Sequence, residues 1–153
     1  MEINEIIQCV SAFVGCLGFT FIFRIHKNIK FSITGSFIGT VGWIIYLLTD
    51  TLNNIFLQNF IAMLTVALLA EVMARVYKAP ATIFIIIGCF PLVPGSGIYY
   101  TMLYAVQGLN DAFADSLIST LGIGISLALA ILVSSTILQV YKVIKTKNYA
   151  KVE

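Results

Sequence analysis

Long apolar stretches separated by short polar segments dominate this sequence. A helix needs about 20 predominantly apolar residues to cross a bilayer. Five stretches meet that requirement, at residues 6–23, 31–49, 55–73, 81–107 and 116–138. The pattern therefore predicts an all-α integral membrane protein, a bundle of five transmembrane helices. In this prediction residues 1–153 form a single transmembrane domain, and residues 139–153 form a basic tail.

Composition supports the same class of protein. Apolar residues make up 59% of the chain, charged residues make up 10%, and the mean hydropathy is +0.99. These values lie far outside the range of soluble globular domains. The first residues, Met1 to Glu5, are acidic rather than basic, so we expect no removable signal peptide.

The charged residues predict how the helices are oriented. All nine basic residues lie in the first loop, in the third loop or in the tail: Arg24, Lys27, Lys30, Arg75, Lys78, Lys142, Lys145, Lys147 and Lys151. Five crossings place these three segments on one side, and the positive-inside rule makes that side the cytoplasm. We therefore predict a multi-pass protein of the cytoplasmic membrane, with its N-terminus outside and its C-terminus inside. The tail lysines act as an orientation signal or as contacts for anionic membrane lipid.

The fourth apolar stretch contains an interruption. Residues 79–110 carry no charge, and two prolines and two glycines fall within residues 91–97. A proline costs about 3 kcal/mol in a helix interior and a glycine about 1 kcal/mol. Counting from Pro80, the helix rises about 17 Å to Pro91, a little past half of a core of about 30 Å. The sequence thus predicts a fourth helix broken near the midplane.

A broken helix offers binding chemistry. The first amides of its second half carry about half a positive charge and can bind an anion. The candidate substrate-binding residues are Pro91, Pro94, Gly95, Ser96, Gly97 and Tyr99, the last as a phenolic donor. The alternative is a proline kink with a glycine hinge and no ligand.

Glu71 and Arg75 form a second candidate site. Glu71 is the only acid near membrane depth, and such acids often relay protons in transporters. The two residues are four apart on the third helix, so they form a gate or proton-coupling pair, or only a surface ion pair.

For several other residues we predict structural roles. Trp43 lies too deep for an interfacial belt, so we expect it to pack within the bundle or to line a cavity. Small residues recurring every four positions predict packing faces, with Gly35 and Gly39 on the second helix and Gly122, Ser126, Ala130 and Ser134 on the last.

The residues with catalytic or metal-binding potential are few. The three cysteines, Cys9, Cys16 and Cys89, show no metal-ligand spacing and are interpreted as small buried apolar residues. The single histidine, His26, is expected in a solvated loop. We expect no metal, no cofactor, no nucleic acid partner and no enzymatic activity, because membrane enzymes need clustered acids, histidines or a metal.

Three segments resemble a known family. They read EVMARVYKAPATIF at residues 71–84, PLVPGSGIY at residues 91–99 and GTVGWIIY at residues 39–46. They are similar to the threonine/serine exporter family, specifically to its short five-span subunit. The loop at residues 23–28 departs from this family, whose members usually carry a proline there.

The resemblance implies a function and a partner. It implies export of threonine and serine, or of a dicarboxylate such as succinate, coupled to the proton gradient. It also implies a longer membrane subunit, which would form an inverted pair with this five-span unit. A regulatory or assembly subunit without a transport pathway of its own is the alternative.

Overall fold

The computed structural model describes residues 3–25 and 28–149 of the chain. Six helices form within these residues, and no strand: α1 (Ile3–Ile22), α2 (Ile29–Leu48), α3 (Ile55–Tyr77), α4 (Ala81–Cys89), α5 (Gly95–Gln107) and α6 (Asn110–Tyr149). Single 3-10 turns, Asp50–Leu52 and Phe90–Leu92, follow α2 and α4. The predicted all-helical fold is therefore confirmed for the described residues, and His26 lies outside them.

Four helical segments are long and apolar enough to cross a membrane: Ile3–Ile22, Ile29–Leu52, Ile55–Tyr77 and Asn110–Val140. The stretch at residues 81–107, predicted as a broken helix, forms two helices, α4 and α5. They pass the same test together but are bent by 59° at the break. The fold thus has four candidate spans, or five when the bent pair counts as one.

Local signals explain where α3 begins and ends. The Asn54 side chain caps its first turn, accepting hydrogen bonds from the amides of Phe56 at 3.1 Å and Leu57 at 3.2 Å. Lys78 ends the helix in the left-handed conformation, with φ of 53°. The predicted end at residue 73 fell one turn short, because an apolar window does not detect a polar turn that stays helical.

The last helix is longer than the apolar window indicated. α6 starts at Asn110, ahead of the predicted residue 116, and runs to Tyr149. Most of the segment predicted as a basic tail therefore continues the same helix, and residues 150–153 lie outside the described part of the chain. Lysine is a good helix former, so charge ends the apolar span without ending the helix.

Glycines bring the central helices close together. A Cβ on Gly35 would lie 2.7 Å from the side chain of Ile87, and one on Gly39 would lie 2.7 Å from Sγ of Cys16. Gly42 leaves similar room for Val66. The predicted packing step at Gly35 and Gly39 is confirmed, and it joins α1, α2 and α4 around a core that includes Phe84, Ile87, Met63 and Val66.

The predicted face on the last helix is also a packing face. Ser126, Ala130 and Ser134 are buried, and Gly122 lies directly against Phe56 of α3. This face of α6 packs against α3. Its small side chains allow the close approach that a lipid-exposed helix pair needs.

Helix α5 is attached differently. Within the described residues it packs against α6 and against no other helix. The Thr101 hydroxyl donates to the carbonyl oxygen of Gly97 at 2.7 Å and lies 2.8 Å from Oγ of Ser116 on α6. The α5–α6 pair is therefore a hairpin joined at Gly108, which has φ of 70°.

The cysteines behave as small apolar residues. All three are free thiols, and Cys9 and Cys16 are buried while Cys89 is half-buried. The Cys16 thiol lies between helices and donates to the carbonyl oxygen of Ile87 at 3.4 Å. The prediction of buried apolar cysteines is confirmed for Cys9 and Cys16.

Candidate functional site

The break between α4 and α5 follows from its prolines. After the 3-10 turn, Val93 is extended and Pro94 precedes the first residue of α5. Gly95 donates its amide to the carbonyl oxygen of Val93 at 2.8 Å. Within the described residues, the amides of Ser96 and Gly97 donate to no carbonyl oxygen. Two backbone donors are therefore left at the start of α5, as expected at a helix N-terminus.

A cavity of about 400 Å³ lies beside this break. Helix α2 contributes Trp43 and Tyr46 to its wall, α3 contributes Ile55 and Asn59, and α6 contributes Ile123. The remaining wall is the break itself, Pro91, Leu92, Val93, Pro94, Gly95 and Ser96. Its size lies within the range of small-molecule sites, about 300 to 1,000 Å³.

The cavity contains only part of the predicted substrate site. Pro91, Pro94, Gly95 and Ser96 line it. Gly97 instead faces α6, where a Cβ would lie 2.5 Å from Oγ1 of Thr120. Tyr99 is 62% exposed on the outer face of α5 and contacts the ring of Tyr100. The structure thus separates these two residues from the cavity wall.

Glu71 and Arg75 lie elsewhere on α3. Glu71 is half-buried and Arg75 is exposed. Glu71 is twelve residues beyond Asn59, which corresponds to about 18 Å along the helix. Among the residues that the structure describes, no ion pair within 4.0 Å joins the two side chains, and neither lines the cavity. Their role as a gate or coupling pair stays a prediction.

Sequence reasoning missed Asn59. This side chain is 3% exposed, lines the cavity, and donates from Nδ2 to the carbonyl oxygen of Ile55 at 2.8 Å. No hydrogen bond to its Oδ1 is present within the described residues. The available signal was the pair of amides, Gln58 and Asn59, in an otherwise apolar stretch, because polar side chains at membrane depth usually serve a function.

Gln58, the neighbouring amide, is used structurally. Its Nε2 donates to the carbonyl oxygen of Tyr46 at 2.8 Å and to Oδ1 of Asp50 at 3.3 Å. This side chain therefore ties the end of α2 to the start of α3.

Trp43 packs against the buried core and also lines the cavity wall, so it has both of its predicted roles. Its ring stacks on Tyr46 with centroids 5.0 Å apart, and its Nε1 is buried without a hydrogen-bond partner within the described residues. Trp43 and Pro91 also line a second cavity of about 270 Å³, which Gln8 and Ser11 of α1 border. The two residues thus lie between two cavities.

The chemistry of the main cavity favours an anionic group. Among the described residues, no charged side chain lines it. Its break side offers the free amide and the hydroxyl of Ser96, together with about half a positive charge from α5. Within the described residues, no three His, Cys, Asp or Glu side chains are grouped as metal ligands. Donors of this kind at a helix N-terminus suit a small carboxylate.

Comparison with known proteins places the chain in a family. No curated protein and no solved structure is similar enough to count as a match. One family model, described as threonine/serine exporter (ThrE), matches residues 8–137. That match includes α2 to α5 and all the cavity residues. The chain therefore belongs to the threonine/serine exporter family of membrane transport proteins.

Proposed function

We propose that this chain is a subunit of a secondary transporter that exports small hydrophilic metabolites bearing a carboxylate. Threonine, serine and a dicarboxylate such as succinate are the substrates that the family suggests. The observation that carries the proposal is the cavity of about 400 Å³ whose wall includes Ser96, with its free amide at the start of α5. Broken helices hold substrate carboxylates in this way in other secondary transporters.

The proposed orientation places the N-terminus outside and the C-terminus inside the cytoplasmic membrane. In that orientation α4 and α5 form one broken span, and α2 ends and α3 begins on the outer side. The cavity wall includes Tyr46, two residues before the end of α2, and Ile55, the first residue of α3. The cavity would then face outward, and export would proceed by alternating access.

The proposed coupling is to protons, through Glu71 near the inner end of α3. Its separation from the cavity suits a role in gating better than direct contact with the substrate. Replacing Glu71 with glutamine should remove the dependence of efflux on external pH while leaving the chain in the membrane. An unchanged pH profile would instead assign Glu71 a surface role.

The proposed partner is a longer membrane subunit of the same family. The outer face of α5 supports this, because it exposes Tyr99, Tyr100, Met102 and Val106 and packs against no other described helix. A cysteine at Met102 should cross-link to the longer subunit in membranes, whereas one at Leu129 of α6 should not. If both cysteines contact only lipid, and neither cross-links to the longer subunit, this placement is contradicted.

A regulatory or assembly subunit is the second candidate function. The described residues of the cavity wall include no charged side chain, which favours this function, since a transport pathway often includes ionisable groups. Reconstitution with and without the longer subunit separates the two functions. Efflux that never depends on residues of this chain would support the assembly role.

The main test replaces Gly95 with leucine. A Cβ at Gly95 meets no atom within 4 Å, so the new side chain extends into open space at the cavity wall. We expect Gly95→Leu to abolish efflux of labelled threonine or succinate without loss of membrane insertion. Gly124→Leu is the matched control, because Gly124 also has nothing within 4 Å and does not line the cavity. Normal efflux by Gly95→Leu would refute the proposed site.

A further inference from the structure

Asn59 lines the cavity, is at least nine-tenths buried and has an unused hydrogen-bonding atom. Its Nδ2 donates one hydrogen bond to the carbonyl oxygen of Ile55, whereas its Oδ1 accepts no hydrogen bond within the described residues. Burying an amide in an apolar bundle is costly unless its polar atoms are paired. The neighbouring Gln58 bonds its Nε2 to two oxygens and does not line the cavity.

The two sides of the cavity therefore differ in chemistry. The break contributes donors, namely the amide and the hydroxyl of Ser96 at the start of α5. Asn59 on α3 contributes an acceptor, its Oδ1. No charged side chain among the described residues lines the space between them. A ligand that fits both sides carries an anionic group at one end and a hydrogen-bond donor at the other.

We propose that Asn59 determines substrate specificity by accepting a hydrogen bond from the ammonium or hydroxyl group of a substrate whose carboxylate lies at the start of α5. This inference rests on the proposed function and says which of its candidate substrates the site prefers. It selects amino acids, which have one carboxylate and several donors, over dicarboxylates.

The selection follows from hydrogen bonding and charge. A second carboxylate placed at the Oδ1 of Asn59 would bring two acceptors together, and no cation among the described wall residues compensates the charge. An ammonium group in the same position donates to Oδ1 instead. Sites built to bind a substrate donor reject analogues lacking it strongly, because the buried polar group is then left unpaired.

The experiment compares efflux of labelled threonine and labelled succinate. The full chain is expressed from its own locus, so that any partner chain is present, and each variant is checked for membrane insertion. Asn59→Leu removes the acceptor. It should lower the ratio of threonine efflux to succinate efflux about tenfold, roughly the effect of one lost hydrogen bond to a charged group. Asn59→Asp keeps an acceptor, adds a negative charge, and should hold or raise the same ratio.

Thr65→Val is the matched control. Thr65 lies on the same helix and bonds its hydroxyl to the carbonyl oxygen four residues earlier, at 3.0 Å, but it does not line the cavity. This variant should leave the ratio unchanged.

The outcomes distinguish the inference from the function it rests on. If neither substrate leaves cells expressing the wild-type chain, the proposed function fails, and the inference fails with it. If the wild type exports both but Asn59→Leu and Asn59→Asp lower both rates equally, the function stands and the specificity role of Asn59 is refuted. A ratio that falls in Asn59→Leu and is held or raised in Asn59→Asp supports it.

Discussion

The two helices on either side of the break carry glycines in opposite surroundings. On α4, a Cβ at Gly88 would lie 2.8 Å from Cγ1 of Val66 and 3.1 Å from Cγ2 of Ile38. On α5, a Cβ at Gly95 would meet nothing within 4 Å. The first glycine permits helix packing and the second leaves a cavity open. In the sequence alone, both glycines count as residues that destabilise a helix.

The same contrast extends to the helices as a whole. Helix α4 is enclosed by α1, α2 and α3, whereas α5 contacts only α6 among the described helices. The α4 side of the break is therefore the fixed part of the site. The α5 side is the part with freedom to move or to bind a partner, because few contacts restrain it.

The largest expected effect on stability comes from adding a side chain on the α4 side of the break. Gly88→Leu should destabilise the protein by about 3 kcal/mol or more, because the new side chain overlaps Val66 and Ile38 in a packed core. Thermal unfolding of the detergent-solubilised protein measures this, with Gly124→Leu as the control. Equal stability of the two variants would show that α4 is not the fixed part.

An intermediate effect on stability is expected from a substitution where α5 contacts α6. In Gly97→Ala the new methyl approaches Oγ1 of Thr120, which also donates to the carbonyl oxygen of Ser116 at 2.7 Å. Moving that hydroxyl should cost about 1 kcal/mol. Thr120→Ala in the same chain should recover the loss in thermal unfolding. Strictly additive losses would mean that the two residues do not touch.

The smallest effect is expected on the outer face of α5. Tyr99 is 62% exposed, so Tyr99→Ala should change the free energy of unfolding of the isolated chain by less than about 0.5 kcal/mol. The same substitution should reduce recovery of the longer subunit with the purified chain. A large destabilisation of the isolated chain would show that α5 packs within it.

Much of the architecture was predictable because lipid imposes simple rules. Apolar stretches of sufficient length predicted the helices α1, α2, α3 and α6. The prolines and glycines predicted the interruption after α4, and small-residue spacing predicted the contacts of Gly39 and Ala130. The ends of α3 and α6 were wrong by one turn or more, since polar residues continue both helices.

The site was predicted only in part. Pro91, Pro94, Gly95 and Ser96 were identifiable because backbone chemistry is visible in the residue types themselves. Asn59 was missed and Trp43 was left between two roles. Both lie on other helices, and nothing in their local sequence says which helix faces the break.

The sequence by itself determined the membrane-spanning class, the helical content and the place where a helix must break, because each depends on local composition and on backbone hydrogen bonding. Only the tertiary structure decided which side chains meet that break. Packing brings Trp43, Tyr46 and Asn59 to one cavity and turns Gly97 and Tyr99 away from it. Helix rotation and close approach are set by contacts between distant residues, and no local pattern contains them.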